Sequence, residues 1–121
     1  METYDPEVLD KAGLLDRLGG DLELFQEITG LFQQDCPKLL SAVRAAVSGQ
    51  NPTALERAAH TLKGCVANFN AGAVYQAALR LEQMGRAGET QAAAGAYTAL
   101  ESEIRRFQQA LYVLARELAQ S

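Results

Sequence analysis

Apolar residues recur at intervals of three and four along most of the chain, a spacing that places them on one face of an α-helix. The pattern is most regular near the C-terminus, where a seam typical of helical bundles consists of Tyr97, Leu100, Ile104, Phe107, Leu111, Leu114 and Leu118. A second stripe follows Asp21 and consists of Leu24, Phe25, Ile28, Leu31, Phe32, Leu39, Leu40, Val43 and Val47. We interpret both stripes as core and predict a chain of amphipathic helices.

Capping residues and glycines divide this pattern into four long helices, which we expect at about 21–48, 52–69, 72–86 and 90–119. The expected N-caps are Asp21, Asn51 and Thr90, and the expected helix ends are marked by Gly49, Asn70, Gly85 and Gly88. Pro52 suits the first turn of the second helix, and Asn70 tolerates the left-handed conformation that ends it. Pro37 predicts a bend inside the first long helix, with a break as the alternative.

The region before Gly20 predicts a shorter element. Asp5-Pro6-Glu7 has the order of an N-cap, a helix-starting proline and a first-turn acid, so we expect a short helix that fades near Gly13. A second apolar turn then contains Leu14, Leu15 and Leu18. Because short connections make consecutive helices antiparallel, the predicted fold is all-α, an up-down-up-down four-helix bundle with a short N-terminal capping helix. We expect one domain over 1–121.

Composition supports this fold and excludes several classes of function. Of the 121 residues, 48 % are hydrophobic, and good helix formers dominate. The net charge is −4 and no basic stripe is present, which disfavours nucleic acid as a partner. Cys36 and Cys65 form no CxxC pair, so no metal site is expected. With no signal peptide and no uncharged stretch long enough to span a bilayer, we expect a cytoplasmic protein with reduced thiols and no membrane contact.

The candidate chemistry lies on the second long helix, whose apolar stripe consists of Leu55, Ala59, Leu62, Val66 and Phe69. His60 is the one histidine of the chain. It lies about 140° from Leu55 around the helix, so we expect it on the solvent face. Lys63, Gly64 and Ala67 share that face at i+3, i+4 and i+7. A glycine inside a helix costs about 1 kcal/mol relative to alanine, and close approach of another molecule to His60 would account for it.

A neutral imidazole is nucleophilic near pH 7, so an exposed His60 can accept a phosphoryl group. Lys63 would supply part of the positive charge that stabilises the transfer. Glu56 is the only carboxylate expected nearby and would repel a phosphate, so any metal ion must be bound by the partner. A solvated helix face whose histidine has no function is equally compatible with this spacing alone.

The segment Ala59-His60-Thr61-Leu62-Lys63-Gly64 resembles the signature of histidine phosphotransfer (HPt) domains of bacterial phosphorelays. Further similarity lies in 14–21, in 31–40, and in Leu81, Glu82 and Arg86. The resemblance implies a four-helix bundle in which His60 accepts a phosphoryl group from a receiver-domain aspartate and passes it to another receiver. It implies that Lys63 supports the phosphate and that Gly64 allows docking. It also implies a phosphocarrier with no cofactor, whose Mg²⁺ is bound by the receiver alone.

Glu82 stands where the family often has a Gln or Glu near the phosphohistidine, but a surface pair with Arg86 at i+4 explains it equally well. The family usually has Ser or Ala in place of Cys65, which we interpret as a small buried hydrophobe, and Gly in place of Asn70. The expected docking surface consists of Glu56, Arg57, His60, Thr61, Lys63, Gly64 and Ala67, together with exposed Val8, Leu14 and Leu22.

Four other classes of protein differ in how well they agree with the residues around His60. The histidine-bearing dimerisation helices of sensor kinases have an acid directly after the histidine and a proline soon after, whereas Thr61 follows here and no proline does. A cysteine–histidine hydrolase is disfavoured because Cys65 lies about 140° from His60 around the helix. A chemotaxis-kinase phosphotransfer domain and a helical interaction module stay open. We expect a monomer that works with receiver domains, and the start at Met1 suits both a free-standing protein and part of a hybrid sensor kinase.

Overall fold

The structure, a computed structural model, describes residues 5–120, and every regular element in that range is helical. A short helix, α1, spans Lys11–Arg17. Four long helices follow, α2 at Leu22–Ser48, α3 at Pro52–Val66, α4 at Gly72–Ala87 and α5 at Ala93–Ala119. They run up-down-up-down, with α3 between α2 and α4 and with α5 packed against α2 and α4. The predicted four-helix bundle is confirmed, although positions 1–4 and 121 of the predicted domain lie outside the described residues.

Most of the predicted helix ends are confirmed. The Asp21 carboxylate accepts from the Leu24 amide at 3.0 Å, and the Asn51 side chain accepts from the Ala54 amide at 3.1 Å. After α3 the chain makes a 3₁₀ turn at Ala67–Phe69 and then enters the left-handed region at Asn70, with φ 55°. The helix α2 continues through Pro37, so the alternative of a break is wrong.

Two expected features of the last connection are wrong. Gly85 lies inside α4, which ends at Gly88 with φ 75°. Thr90 does not cap α5 with its side chain, because α5 begins at Ala93. The Thr90 carbonyl instead accepts from the Ala93 amide at 3.2 Å, so a backbone turn separates the two helices.

The short helix expected from Asp5 is only one turn, closed by bonds from the Val8 and Leu9 amides to the Asp5 carbonyl at 2.9 and 3.1 Å. Both Val8 and Leu9 are buried, so this turn packs into the core. The Glu7 carbonyl accepts from the Ala73 amide at 2.6 Å, which fixes the segment at the start of α4. The helix α1 therefore begins later than expected, after the N-cap Asp10.

The helix α1 caps one end of the bundle, as predicted, and this is the end at which α3 finishes. The Arg17 guanidinium donates to the Ala67 carbonyl at 2.8 Å and to the Asn70 side chain at 3.1 Å. The Asp10 amide donates to the Asn70 carbonyl at 3.0 Å, and Lys11 pairs with Glu117 of α5 at 3.2 Å. These bonds hold the turn at the end of α3 in place, and they thereby hold the end of α3 itself.

The core contains the expected seam of α5, of which Tyr97 and Leu118 are only partly buried. Phe32, Phe69 and Phe107 meet edge to face, with ring centroids 5.0–5.6 Å apart. Leu24 and Leu31 are exposed, which corrects the stripe predicted for α2. Each lies about 100° from the buried phenylalanine that follows it, so α2 buries the phenylalanines and leaves these leucines outside. No helix within residues 5–120 has both the length and the apolar character that crossing a membrane requires.

Candidate functional site

The helix α3 has one fully buried face and one exposed face. Leu55, Ala59, Leu62 and Val66 have no exposed surface, whereas the His60 side chain is 67 % exposed. Their spacing determines this division, because residues three and four apart share a face of a helix. The predicted position of His60 opposite the core is confirmed, so its imidazole can be reached by another molecule.

A carboxylate from α4 lies directly behind this imidazole. Oε2 of Glu82 is 2.7 Å from Nδ1 of His60, and the Glu82 side chain is only 3 % exposed. The expectation that Glu56 is the only carboxylate near His60 is therefore wrong. A helical wheel of α3 shows only neighbours on the same helix, and Glu82 reaches the site across the packing of α3 against α4. The one signal in the sequence was the matching position of Glu82 in the family.

The close packing of α3 on α4 depends on Gly85, one turn beyond Glu82. A Cβ atom at Gly85 would lie 2.5 Å from the Glu56 amide nitrogen and 2.8 Å from the Pro52 carbonyl oxygen. Both atoms belong to the backbone of α3, so the two helices must separate if a side chain is added. This glycine therefore sets the distance over which Glu82 reaches His60.

Lys63 contacts the same carboxylate from the next turn of α3. Its Nζ lies 2.7 Å from Oε1 of Glu82 and 5.9 Å from the centre of the Tyr75 ring, and the side chain is 19 % exposed. The Lys63 ammonium, with a smaller contribution from His60, holds the pKa of Glu82 below its ordinary value although burial acts in the opposite direction. Glu82 is therefore ionised at neutral pH.

The ionised state of Glu82 determines which nitrogen of His60 is free. A carboxylate has no proton to donate, so Nδ1 must carry the proton of the 2.7 Å hydrogen bond. In the neutral imidazole the lone pair is then on Nε2. The arrangement fixes the ring, its tautomer and the position of the nucleophilic nitrogen.

We expect Glu82 to give the protein a pH-dependent component of stability. A carboxyl group whose pKa is lowered by folding stabilises the native state above its unfolded pKa, and this stabilisation is lost as the pH falls through the native pKa. Glu82→Gln should reduce the free energy of unfolding by about 1–3 kcal/mol at pH 7, and the difference from wild type should shrink below the ordinary pKa of 4.5. Urea unfolding between pH 7 and pH 3 measures it. Glu89→Gln, at an exposed position, is the control, and a difference that stays constant with pH would contradict the prediction.

A second ion pair lies on the other side of Glu82. The Arg86 guanidinium donates from Nε to Oε2 of Glu56 at 2.9 Å, and its Nη2 lies 3.4 Å from Oε2 of Glu82. The i, i+4 pair of Glu82 with Arg86 thus exists, but it is longer than the contacts of Glu82 with His60 and Lys63. A cleft of about 360 Å³ is lined by Thr53, Glu56, Arg57, His60, Glu82 and Arg86.

The other residues expected on the docking surface differ in their exposure. A Cβ atom at Gly64 would meet nothing within 4 Å, and Ala67 is exposed, so the surface beside His60 is open as predicted. The Thr61 hydroxyl donates to the Arg57 carbonyl at 3.0 Å. Leu22 is exposed, but Val8 and Leu14 are buried in the core and cannot contribute to docking. Both lie in the N-terminal segment that packs onto the bundle.

The two cysteines have the character of buried or half-buried thiols. Cys36 is buried and Cys65 is half-buried, and both thiols are free. Burial raises the pKa of Cys36 to about 11 and also raises that of Cys65, which disfavours a nucleophilic thiolate at neutral pH. Within the part of the chain that the structure describes, no three His, Cys, Asp or Glu side chains are grouped so that they could hold a metal ion.

Fold and site together define a class of protein, a helical bundle that presents one histidine to a partner and backs it with a buried carboxylate. The family model of the Hpt domain matches residues 27–110, and the chain belongs to this family. Its role is histidine phosphotransfer in a phosphorelay, as a mediator between receiver domains and kinases and not as a kinase itself.

A solved structure supports the fold. The histidine-containing phosphotransfer protein B (HptB) of Pseudomonas aeruginosa PAO1 superposes with a TM-score of 0.83 at 23 % sequence identity. The match covers 91 % of this chain and 96 % of that one. No curated protein sequence matches the chain.

Proposed function

We propose that His60 is the phosphorylated residue and that its Nε2 accepts the phosphoryl group from the aspartyl phosphate of a receiver domain. In this step the bond between phosphorus and the aspartate oxygen breaks as the Nε2–P bond forms. The reverse reaction delivers the group to the aspartate of another receiver. The observation that carries the proposal is the exposed imidazole whose Nδ1 is bound to buried, ionised Glu82.

The neighbouring residues divide the remaining tasks. Glu82 keeps the proton on Nδ1 during attack and stabilises the positive charge that develops on the phosphorylated ring. Gly64 and Ala67 leave room for the receiver beside the imidazole. We propose that the Mg²⁺ ion needed for transfer is bound by the receiver, and that this chain has no ATP-binding site of its own. A kinase in the same or another chain would then supply the phosphate, and a cytoplasmic monomer suits that role.

His60→Gln is expected to abolish labelling by a phosphorylated receiver, since the chain has no other histidine. Wild type is incubated with a receiver that carries a labelled phosphoryl group, and the transferred label should be acid-labile and alkali-stable, as expected for a P–N bond. Circular dichroism and thermal unfolding verify that the variant is folded. Label that persists in His60→Gln, or a wild-type protein that no receiver labels, would reject the proposal, and the second result would favour an interaction module without phosphotransfer.

A further inference from the structure

Two cations flank His60 on α3, and they lie on opposite sides of it. Arg57 and Lys63 are each three residues from His60, so each is about 60° from it around the helix, in opposite directions. Lys63 lies on the side that faces α4, where its Nζ contacts Glu82. Arg57 therefore leaves α3 on the opposite side of His60 from Lys63, and its side chain lines the cleft beside His60.

The free nitrogen of His60 points to the side of Arg57. Nδ1 is directed to α4, because it contacts Glu82 at 2.7 Å. The two nitrogens of an imidazole ring point in divergent directions, so Nε2 is directed away from α4. Gly64 lies about 40° from His60 on the same side and adds no side chain there. A phosphoryl group on Nε2 would thus lie on the side of His60 from which Arg57 projects, and not on the side of Lys63.

The two cations also differ in what else they bind. Lys63 is mostly buried and is the cation that keeps the buried Glu82 carboxylate ionised. If Lys63 moved to a phosphoryl group, it would leave that carboxylate without its closest counter-ion, which is costly for a buried charge. Arg57 is exposed, and among residues 5–120 its guanidinium has no hydrogen bond or ion pair that would have to break. Arg86 lines the same cleft, but its guanidinium already forms ion pairs with Glu56 and Glu82.

We propose that Arg57 binds the phosphoryl group on Nε2 of His60, and that Lys63 acts on the reaction only through Glu82. This inference rests on the phosphotransfer role proposed for His60. A guanidinium can donate two parallel N–H groups to phosphoryl oxygens, which is a stronger contact than a single point charge provides. It would hold the group in line for transfer and balance its charge while the Nε2–P bond forms or breaks.

The test uses phosphoramidate, a small donor that needs no docking surface. Its P–N bond breaks as the Nε2–P bond forms, and ammonia leaves. Arg57→Gln should lower the rate of labelling roughly fivefold, the size expected for an exposed charge-assisted contact. Arg57→Lys should retain about half of the wild-type rate or more, because it keeps the charge. Arg105→Gln, an exposed arginine on α5, is the matched control for net charge and should label at the wild-type rate.

A second readout reports directly on the phosphoryl group. A neighbouring cation favours the dianion, so the pH midpoint of the ³¹P chemical shift should be lower in phosphorylated wild type than in Arg57→Gln. Lys63→Gln should leave this midpoint closer to wild type than Arg57→Gln does. If Arg57 had a purely structural role, the pH midpoint would be the same in wild type, in Arg57→Gln and in Arg57→Lys.

Three results would overturn the proposal while the role of His60 stands. One is an Arg57→Gln protein whose rate and midpoint both match wild type. Another is a defect seen with receivers but not with phosphoramidate, since Arg57 would then contact the receiver. The third is a midpoint that Lys63→Gln shifts more than Arg57→Gln does. If neither phosphoramidate nor a phosphorylated receiver labels the wild-type protein, the proposed phosphorylation of His60 itself is rejected.

Discussion

Gly64→Gln is expected to reduce phosphoryl transfer from a receiver to His60 by about 100-fold or more while the bundle stays folded. Gly64 lies at i+4 from His60 on the exposed face, and its surroundings are open, so a long side chain would project into the space that the receiver must enter. The substitution also replaces a poor helix former, so the free energy of unfolding should not fall. Transfer rates from a phosphorylated receiver measure the effect.

Two comparisons isolate the steric cause. Gly95→Gln introduces the same side chain at another exposed, open glycine, on α5, and should transfer at the wild-type rate. Phosphoramidate should still label Gly64→Gln, because a small donor does not require the cleared surface. A normal rate with the receiver would show that the open surface beside His60 is not where the receiver docks.

Gly85→Ala is expected to lower the free energy of unfolding by about 1–3 kcal/mol, since its Cβ would collide with the backbone of α3. The helices can relieve the collision only by moving apart, which also lengthens the contact between Glu82 and His60. Chemical denaturation measures the stability, and phosphoramidate labelling measures the effect on the site. The free energy of unfolding and the rate of labelling should both be lower than in wild type.

Gly30→Ala is the matched control, because Gly30 lies inside α2 with open space where its Cβ would be. There alanine should raise the free energy of unfolding by about 0.5–1 kcal/mol, as helix propensity alone predicts. We therefore expect alanine to lower the free energy of unfolding at Gly85 and to raise it at Gly30. A stabilising effect at Gly85 would contradict the close approach of α3 and α4.

The sequence predicts the part of the site that one helix contains. The buried stripe of α3 and the opposite position of His60 follow from a spacing of three and four, which is a local property of the chain. The caps Asp21 and Asn51 were also predictable, because each acts on an amide three residues away. Local patterns of this kind do not depend on how the helices are packed.

Contacts and burial that depend on packing between helices cannot be predicted from these local patterns. Glu82 contacts His60 across two helices, and only the family's position for it indicated this before the structure. Leu24 and Leu31 have the character of core residues but lie on the wrong side of α2. Val8 and Leu14 were expected on the surface, because nothing local shows that the N-terminal segment packs onto the end of the bundle.

The two faces of α3 have a consequence for how such a domain can acquire new signalling partners. Leu55, Ala59, Leu62 and Val66 hold the bundle together and contact nothing outside it. Thr53 and Thr61 are exposed, and substitutions at exposed positions of this kind usually change stability by less than about 0.5 kcal/mol. A duplicated gene could therefore change its receiver through a few substitutions on one helix while the fold and the chemistry of His60 are inherited unchanged.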